Sequence, residues 1–477
     1  MTAVMNPLAV LMPGFVGHTL PDWLAARLRD GLGGVCLFGA NVDNPAQLRA
    51  LTDAIHAANP RAIVAIDEEG GDVSRLYQAV GSPFPGNAVL GRLDDAAVTE
   101  AVAARVGAEL AAVGVDLTLA PDVDVNANPR NPVIGVRSFG ADPALVARHA
   151  AAWVAGVQSA GVSACAKHFP GHGDTAQDSH HALPVVDADA ATLHERDLPP
   201  FVAAIDAGTA TVMTSHLMVP ALDADLPATF SRPILQGLLR GGLGFEGVVV
   251  TDALDMAGAS AGRGIPAAAV LALAGGADLL CLGSVNPDEE IGAIAAAIEA
   301  AVEDGALDAD RLADAAARCA ALGSAHAERR EARENVTLPG IVDAATVRRT
   351  FDVSPAAREK LAADRPRVWL RLDPAANMAV GPAPWGPFAA GVAPTAAIGP
   401  DGAPASFAAA VPDGALAVVV GKDNHRHPWA LAAIDAVAAR CDTVVVDMGW
   451  PGDRAADIAT YGASRLVGEA LIELIGQ

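Results

Sequence analysis

Residues 248–256 read Val248-Val249-Val250-Thr251-Asp252-Ala253-Leu254-Asp255-Met256. Three consecutive β-branched residues run straight into a polar end, with no alternation. A strand with one wet face alternates apolar and polar side chains, whereas a strand covered on both faces reads as a continuous apolar run. This stretch therefore predicts a strand of a parallel sheet with helices on both sides. Seven more runs of the same kind lie at residues 8–15, 34–39, 62–68, 115–120, 163–169, 210–216 and 277–283. Ala/Leu-rich helical patterns fall between them, as at 45–58, 95–113, 144–160 and 266–275. Eight such units in about 320 residues predict an α/β fold of the TIM (β/α)8 barrel type.

Outward from the barrel, a charged segment at 328–334 leads into residues 335–365, which show no clear strand and read as a linker or bridging helix. The strand–helix rhythm resumes at 367–372, 415–420 and 443–447 and ends in a helix at 464–475, predicting a smaller C-terminal α/β sandwich. The expected organisation is thus a catalytic barrel over 1–330, a linker or bridging segment over 331–365 and the sandwich over 366–477. Residues 373–412, rich in Pro, Ala and Gly, read as loop. The run Lys422-Asp423-Asn424-His425-Arg426-His427 reads as a solvated loop, with a contact onto the barrel mouth or a partner subunit as the alternative.

The formal charge of −24 repels nucleic acid and anionic membrane, so neither is expected as a partner. The five cysteines (Cys36, Cys165, Cys281, Cys319 and Cys441) are scattered and odd in number, which argues against a disulfide framework or structural zinc. A reducing, cytoplasmic setting is expected. The first 21 residues carry no formal charge, but they lack a basic start, and Pro7, Pro13, Gly14 and Gly17 break the apolar run. They read as a buried strand and its loop. No stretch reads as a membrane span; residues 264–277 are uncharged but too short.

Barrel active sites lie at the C-terminal ends of the strands, and polar residues concentrate there. The fifth strand runs into Lys167-His168-Phe169-Pro170-Gly171-His172-Gly173-Asp174, and then Asp178-Ser179-His180-His181. The third ends in Asp67-Glu68-Glu69 with Arg75 beyond, the sixth in Ser215-His216, and the seventh in Thr251-Asp252 with Asp255 beyond. Asp122, Asp124 and Arg137 follow the fourth. Ionisable groups from five strand ends would meet on one rim. His168 and His172 have a spacing that suits a metal on a helix, but Pro170, Gly171 and Gly173 make this a loop, so no metal site is expected. Gly171 and Gly173 read as turn formers.

Four segments resemble glycoside hydrolase family 3, in its bacterial β-N-acetylglucosaminidase branch: KHFPGHGDTAQDSHHALP at 167–184, VVVTDALDM at 248–256, NPVIGVRSFG at 131–140 and AIDEEGG at 65–71. The resemblance implies a retaining exo-β-N-acetylglucosaminidase (a β-N-acetylhexosaminidase) that releases terminal GlcNAc from muropeptide or chitin-derived fragments through a covalent glycosyl–enzyme intermediate. By motif register it assigns the nucleophile to Asp252, with Asp255 second, and the general acid/base to His180 paired with Asp178, with His181 as competitor. Substrate contacts carry over to Asp67, Arg75, Arg137, Lys167 and His168. No cofactor is implied. Two positions depart from the family pattern: Glu68, where many relatives have Gln, and Asp72, where Arg is frequent. Glu68 is expected to add negative charge beside the sugar. A phosphorylase using the same residues, or a β-glucosidase or xylosidase, is the alternative within the family. A metal-dependent hydrolase and a non-catalytic sugar-binding protein are the alternatives outside it. The oligomeric state is left open.

Overall fold

The computed structural model describes residues 6–176, 183–331, 340, 342–376, 379–452 and 456–476. Its first eight strands are β1 (Leu11–Met12), β2 (Gly34–Leu37), β3 (Ile63–Ile66), β4 (Leu117–Thr118), β5 (Cys165–Phe169), β6 (Thr211–Thr214), β7 (Val248–Val250) and β8 (Leu280–Cys281), each inside a segment expected to be a strand. They close into a ring. Parallel pairing joins β2 to β3, β3 to β4, β5 to β6 and β6 to β7. The parallel bridges Leu117↔Ser163 and Val250↔Leu279 connect β4 to β5 and β7 to β8. Leu11↔Leu280 seals β1 against β8, and the Cys36 amide donates to the Pro13 carbonyl to tie β2 to β1.

The unbroken apolar runs now have a physical cause. Alternate residues point into the barrel, where Met12, Cys36, Ala65, Leu117, Cys165, Met213, Val250 and Cys281 form one cluster. Their neighbours Leu11, Val35, Val64, Ala166, Val212, Val249 and Leu280 point outward, into the layer under the helices. Both sets are buried, so apolar residues dominate the runs. The helix Ala309–Glu331 lies beneath the amino ends of the strands: His326 bonds Ser163 Oγ at 2.9 Å, and a side chain on Gly323 would meet the Arg61 carbonyl. This face carries structure, and the opposite face is left open for chemistry.

Six more strands build a second sheet: β9 (Asp352–Val353), β10 (Arg367–Leu372), β11 (Ala396–Ile398), β12 (Leu416–Gly421), β13 (Thr443–Asp447) and β14 (Ile458–Ala459). Their order is β11-β10-β12-β13-β14-β9, parallel except for β9, which runs antiparallel on β14. Three of these strands were not expected. The described part of the presumed linker supplies β9 between the helices Ala344–Arg348 and Pro355–Ala362, and the presumed loop 373–412 contains β11. Two or three residues with partial exposure leave no periodic pattern to read.

The two sheets are joined through side chains. Asp72 Oδ1 accepts the Ala463 amide at 2.8 Å, and Arg92 reaches the Thr350 carbonyl at 2.7 Å. Val89, on the barrel helix Asn87–Leu93, packs into the apolar cluster of the second sheet. Arg426 donates to the Asn131 carbonyl at 2.8 Å, so the loop 422–427 docks on the barrel, contrary to its reading as a solvated loop.

Candidate active site

A cavity of about 300 Å³ opens at the carboxyl ends of the barrel strands. It is lined by Asp67, Arg75, Arg137, Lys167, His168 and Asp252, six of the residues singled out in the sequence. Asp67 and Asp252 closely follow β3 and β7, Lys167 and His168 stand in the last residues of β5, and Arg75 and Arg137 come from the segments beyond β3 and β4, so all of them reach the same mouth. His180, Asp178 and His181 lie outside the described residues.

The floor of the site is an ion-pair network. Lys167 Nζ stands 2.9 Å from Asp67 Oδ1 and 2.7 Å from Glu69 Oε1. Arg137 grips Glu69 with two bonds, Nε to Oε2 at 3.0 Å and Nη2 to Oε1 at 2.8 Å. Burial alone would raise the Glu69 carboxyl, but the Arg137 and Lys167 charges outweigh it and hold the group below the ordinary carboxylate range. Burial pulls the other way on Lys167, and Asp67 and Glu69 keep its ammonium above the usual value. The ion pairs fix these groups in place, presenting donors and acceptors to a ligand rich in hydroxyls.

Glu69 was not singled out, yet it holds the network together. The signal was available: in an extended chain, residues two apart share a face, so Asp67 and Glu69 point together and Glu68 points away. That alternation also corrects the expectation for Glu68. Its carboxylate is fully buried beneath the following loop, where Oε2 accepts from Ser74 Oγ at 2.8 Å, the Arg75 amide at 3.0 Å and the Leu76 amide at 3.1 Å. Glu68 shapes the loop and does not line the cavity.

His168 Nδ1 lies 2.7 Å from Asp124 Oδ2. Burial, assisted by the Arg137 charge, pushes the imidazole down to about 4, so it is neutral at pH 7. The carboxylate partner assigns the ring proton to Nδ1, leaving Nε2 as an acceptor. Behind it, burial and the neighbouring Asp124 push Asp122 up to about 7. Asp122, Asp124 and His168 place three ligand-type atoms within 4.8 Å of one another, a set that could hold a cation. Arg137 Nη2, 3.6 Å from Asp122, already supplies positive charge there, and Asp124 is occupied by His168 and by the His172 amide.

On the far side, Asp252 Oδ1 accepts the Ala253 amide at 2.8 Å. His216 Nε2 holds the Ala253 carbonyl at 3.0 Å while Nδ1 meets Thr229 Oγ1 at 2.9 Å, so the peptide after Asp252 is fixed from both ends. His216 thus serves the turn and does not line the cavity. Asp255 does line it, from the turn preceding the short helix Ala257–Ser260. Gly171, at φ +132°, and Gly173 both stand in turns as read, and at Gly173 a Cβ would also fall 1.7 Å from the Val125 carbonyl oxygen, so two backbones approach closely there.

The family model for the glycosyl hydrolase family 3 N-terminal domain matches residues 18–322, and the chain belongs to that family. It is 43% identical over 265 residues to a beta-hexosaminidase A of Pseudoalteromonas piscicida, covering 51% of this chain and 44% of that one. It is 40% identical over 300 residues to a beta-hexosaminidase of Chromobacterium violaceum, covering 61% and 83% respectively. A solved family 3 beta-N-acetylglucosaminidase from Paenibacillus sp. str. FPU-7 superposes with a TM-score of 0.89 at 32% identity, over 100% of this chain and 97% of the other.

Proposed function

We propose that the chain is a retaining exo-β-N-acetylhexosaminidase. It is a glycoside hydrolase that releases terminal GlcNAc, a reading supported by its relatives and by one observation above all: the Asp252 carboxylate stands across a cavity of about 300 Å³ from a fixed network of charged side chains able to bond sugar hydroxyls. In this reading Asp67, Arg137, Lys167 and the acceptor nitrogen of His168 hold the sugar hydroxyls. Asp252 then attacks the anomeric carbon, forming a glycosyl ester while the glycosidic bond breaks.

The leaving oxygen needs a proton, and motif register gives that task to His180 with Asp178 fixing its ring. An imidazole titrating near neutrality can give the proton and later take one from the incoming water. The substrates proposed are muropeptide or chitin-derived fragments. The five free cysteines support a cytoplasmic setting, and among the described residues no helix is long and apolar enough to cross a membrane.

The test is turnover of 4-nitrophenyl β-N-acetylglucosaminide with and without phosphate, with the sugar product identified by mass spectrometry. Free GlcNAc under both conditions is expected. GlcNAc 1-phosphate with a large rate gain would make the chain a phosphorylase, and no turnover would remove the substrate from the proposal.

A further inference from the structure

In a ring of eight strands, β3 and β7 stand opposite each other. Asp252 follows β7, whereas Asp67, Glu69 and Arg75 follow β3. The wall facing Asp252 across the cavity therefore belongs to the β3 side, and the barrel does not build it alone. Ala379, which lies beyond β10 in the second sheet's part of the chain, also lines the cavity.

Arg75 fastens it there. Its Nη2 donates to the Ala379 carbonyl at 2.7 Å and its Nη1 to the Val380 carbonyl at 3.1 Å. The guanidinium is 8% exposed and lies 3.6 Å from Asp67 Oδ2. Glu68 holds the Arg75 amide from below, and Gln78 Nε2 reaches the Pro382 carbonyl at 3.4 Å. A planar guanidinium aimed at two successive carbonyls fixes a backbone in position and direction, which a point charge does not.

We propose that the segment at Ala379–Val380, strapped to the barrel by Arg75, is the end wall that confines the site to one sugar residue. The second sheet's domain thereby sets exo specificity. The inference rests on the hexosaminidase reading. With the anomeric carbon at Asp252, the opposite end of the ring faces β3, and any preceding sugar would have to pass through the Ala379–Val380 backbone. Arg75, carried over by motif register as a sugar contact, on this account also positions the wall, because both Nη atoms donate to its carbonyls.

The test uses the full chain and 4-nitrophenyl β-chitobioside, with early products resolved by mass spectrometry. The native enzyme should remove GlcNAc first and never release intact chitobiose. Arg75→Ala should release chitobiose with nitrophenol directly, so that chitobiose becomes a major early product at whatever turnover the variant retains. Arg75→Lys should restore the native product pattern only in part. Ala379→Trp, which narrows the same wall, should raise KM for the one-sugar substrate about tenfold with kcat little changed. An Arg75→Ala enzyme that still yields GlcNAc alone, or an Ala379→Trp enzyme with native KM, overturns the proposal. A native enzyme inert on the one-sugar substrate would instead sink the hexosaminidase reading, and the wall with it.

Discussion

Replacing Glu68 by Gln should weaken the protein by about 1–3 kcal/mol in acid and turn that deficit into parity or a gain in alkaline solution. Burial raises the Glu68 carboxyl from 4.5 to about 7, against the three hydrogen bonds that Oε2 accepts. A folded-state value above the unfolded one means that the folded chain binds the proton more tightly. The stabilisation is then complete below pH 4.5, fades as pH rises through about 7, and is absent above it. At about 1.4 kcal/mol per pH unit, the loss across that interval is on the order of 3 kcal/mol. Gln cannot ionise, and its carbonyl can accept the same three bonds. Its amide would occupy the place of Oε1, which has no hydrogen-bond partner, so an offset of about 1–3 kcal/mol accompanies the substitution at every pH. The assay is urea unfolding of both proteins from pH 4.5 to 8.5, reading the difference between them so that every other titrating group cancels. A difference that stays constant across that range would refute the reasoning.

Asp252→Ala should lower turnover of the nitrophenyl glycoside by at least about 10⁴-fold; added azide, which can take the nucleophile's place, should restore nitrophenol release and yield the glycosyl azide of inverted configuration. Glu69→Gln removes one of the carboxylates beside Lys167 and Arg137 and leaves them Asp67 and Asp122, and a loss of about 1–3 kcal/mol in unfolding free energy is expected together with a raised KM; a native denaturation midpoint would contradict the network. Gly173→Ala should cost about 1–3 kcal/mol by overpacking against the Val125 carbonyl, read as a lowered Tm. His180→Ala should slow natural glycosides more than nitrophenyl ones, whose leaving group needs little protonation; equal losses on both would count against His180 as the acid.

The barrel was legible because its strands obey a simple constraint. Val248-Val249-Val250 has a helix layer on one side and the barrel interior on the other, so burial writes itself into every position. Asp67, Lys167 and Asp252 were legible for a related reason: a charged residue at or directly after the end of such a run has only the barrel mouth to go to. Glu69 needed the extra step of following the pleat past the end of β3. The contact between Arg75 and Ala379 spans 304 positions, and no local pattern in either segment announces it. The short strands β9, β11 and β14 escape for want of length. Asp72, read only as a departure from the family pattern, tethers the Ala463 amide of the second sheet.

The seam between β1 and β8 also governs the order in which the molecule can be made. Leu11 pairs with Leu280, so the ring cannot close until that residue has left the ribosome, roughly 15 to 50 s later at ordinary rates of synthesis. Through that interval β1 has one flank with no neighbour, in a stretch whose first 21 residues carry no charge to discourage association. The β1 flank is therefore open to association until Leu280 arrives, and a fragment stopped before residue 280 should precipitate where the 477-residue chain stays dissolved.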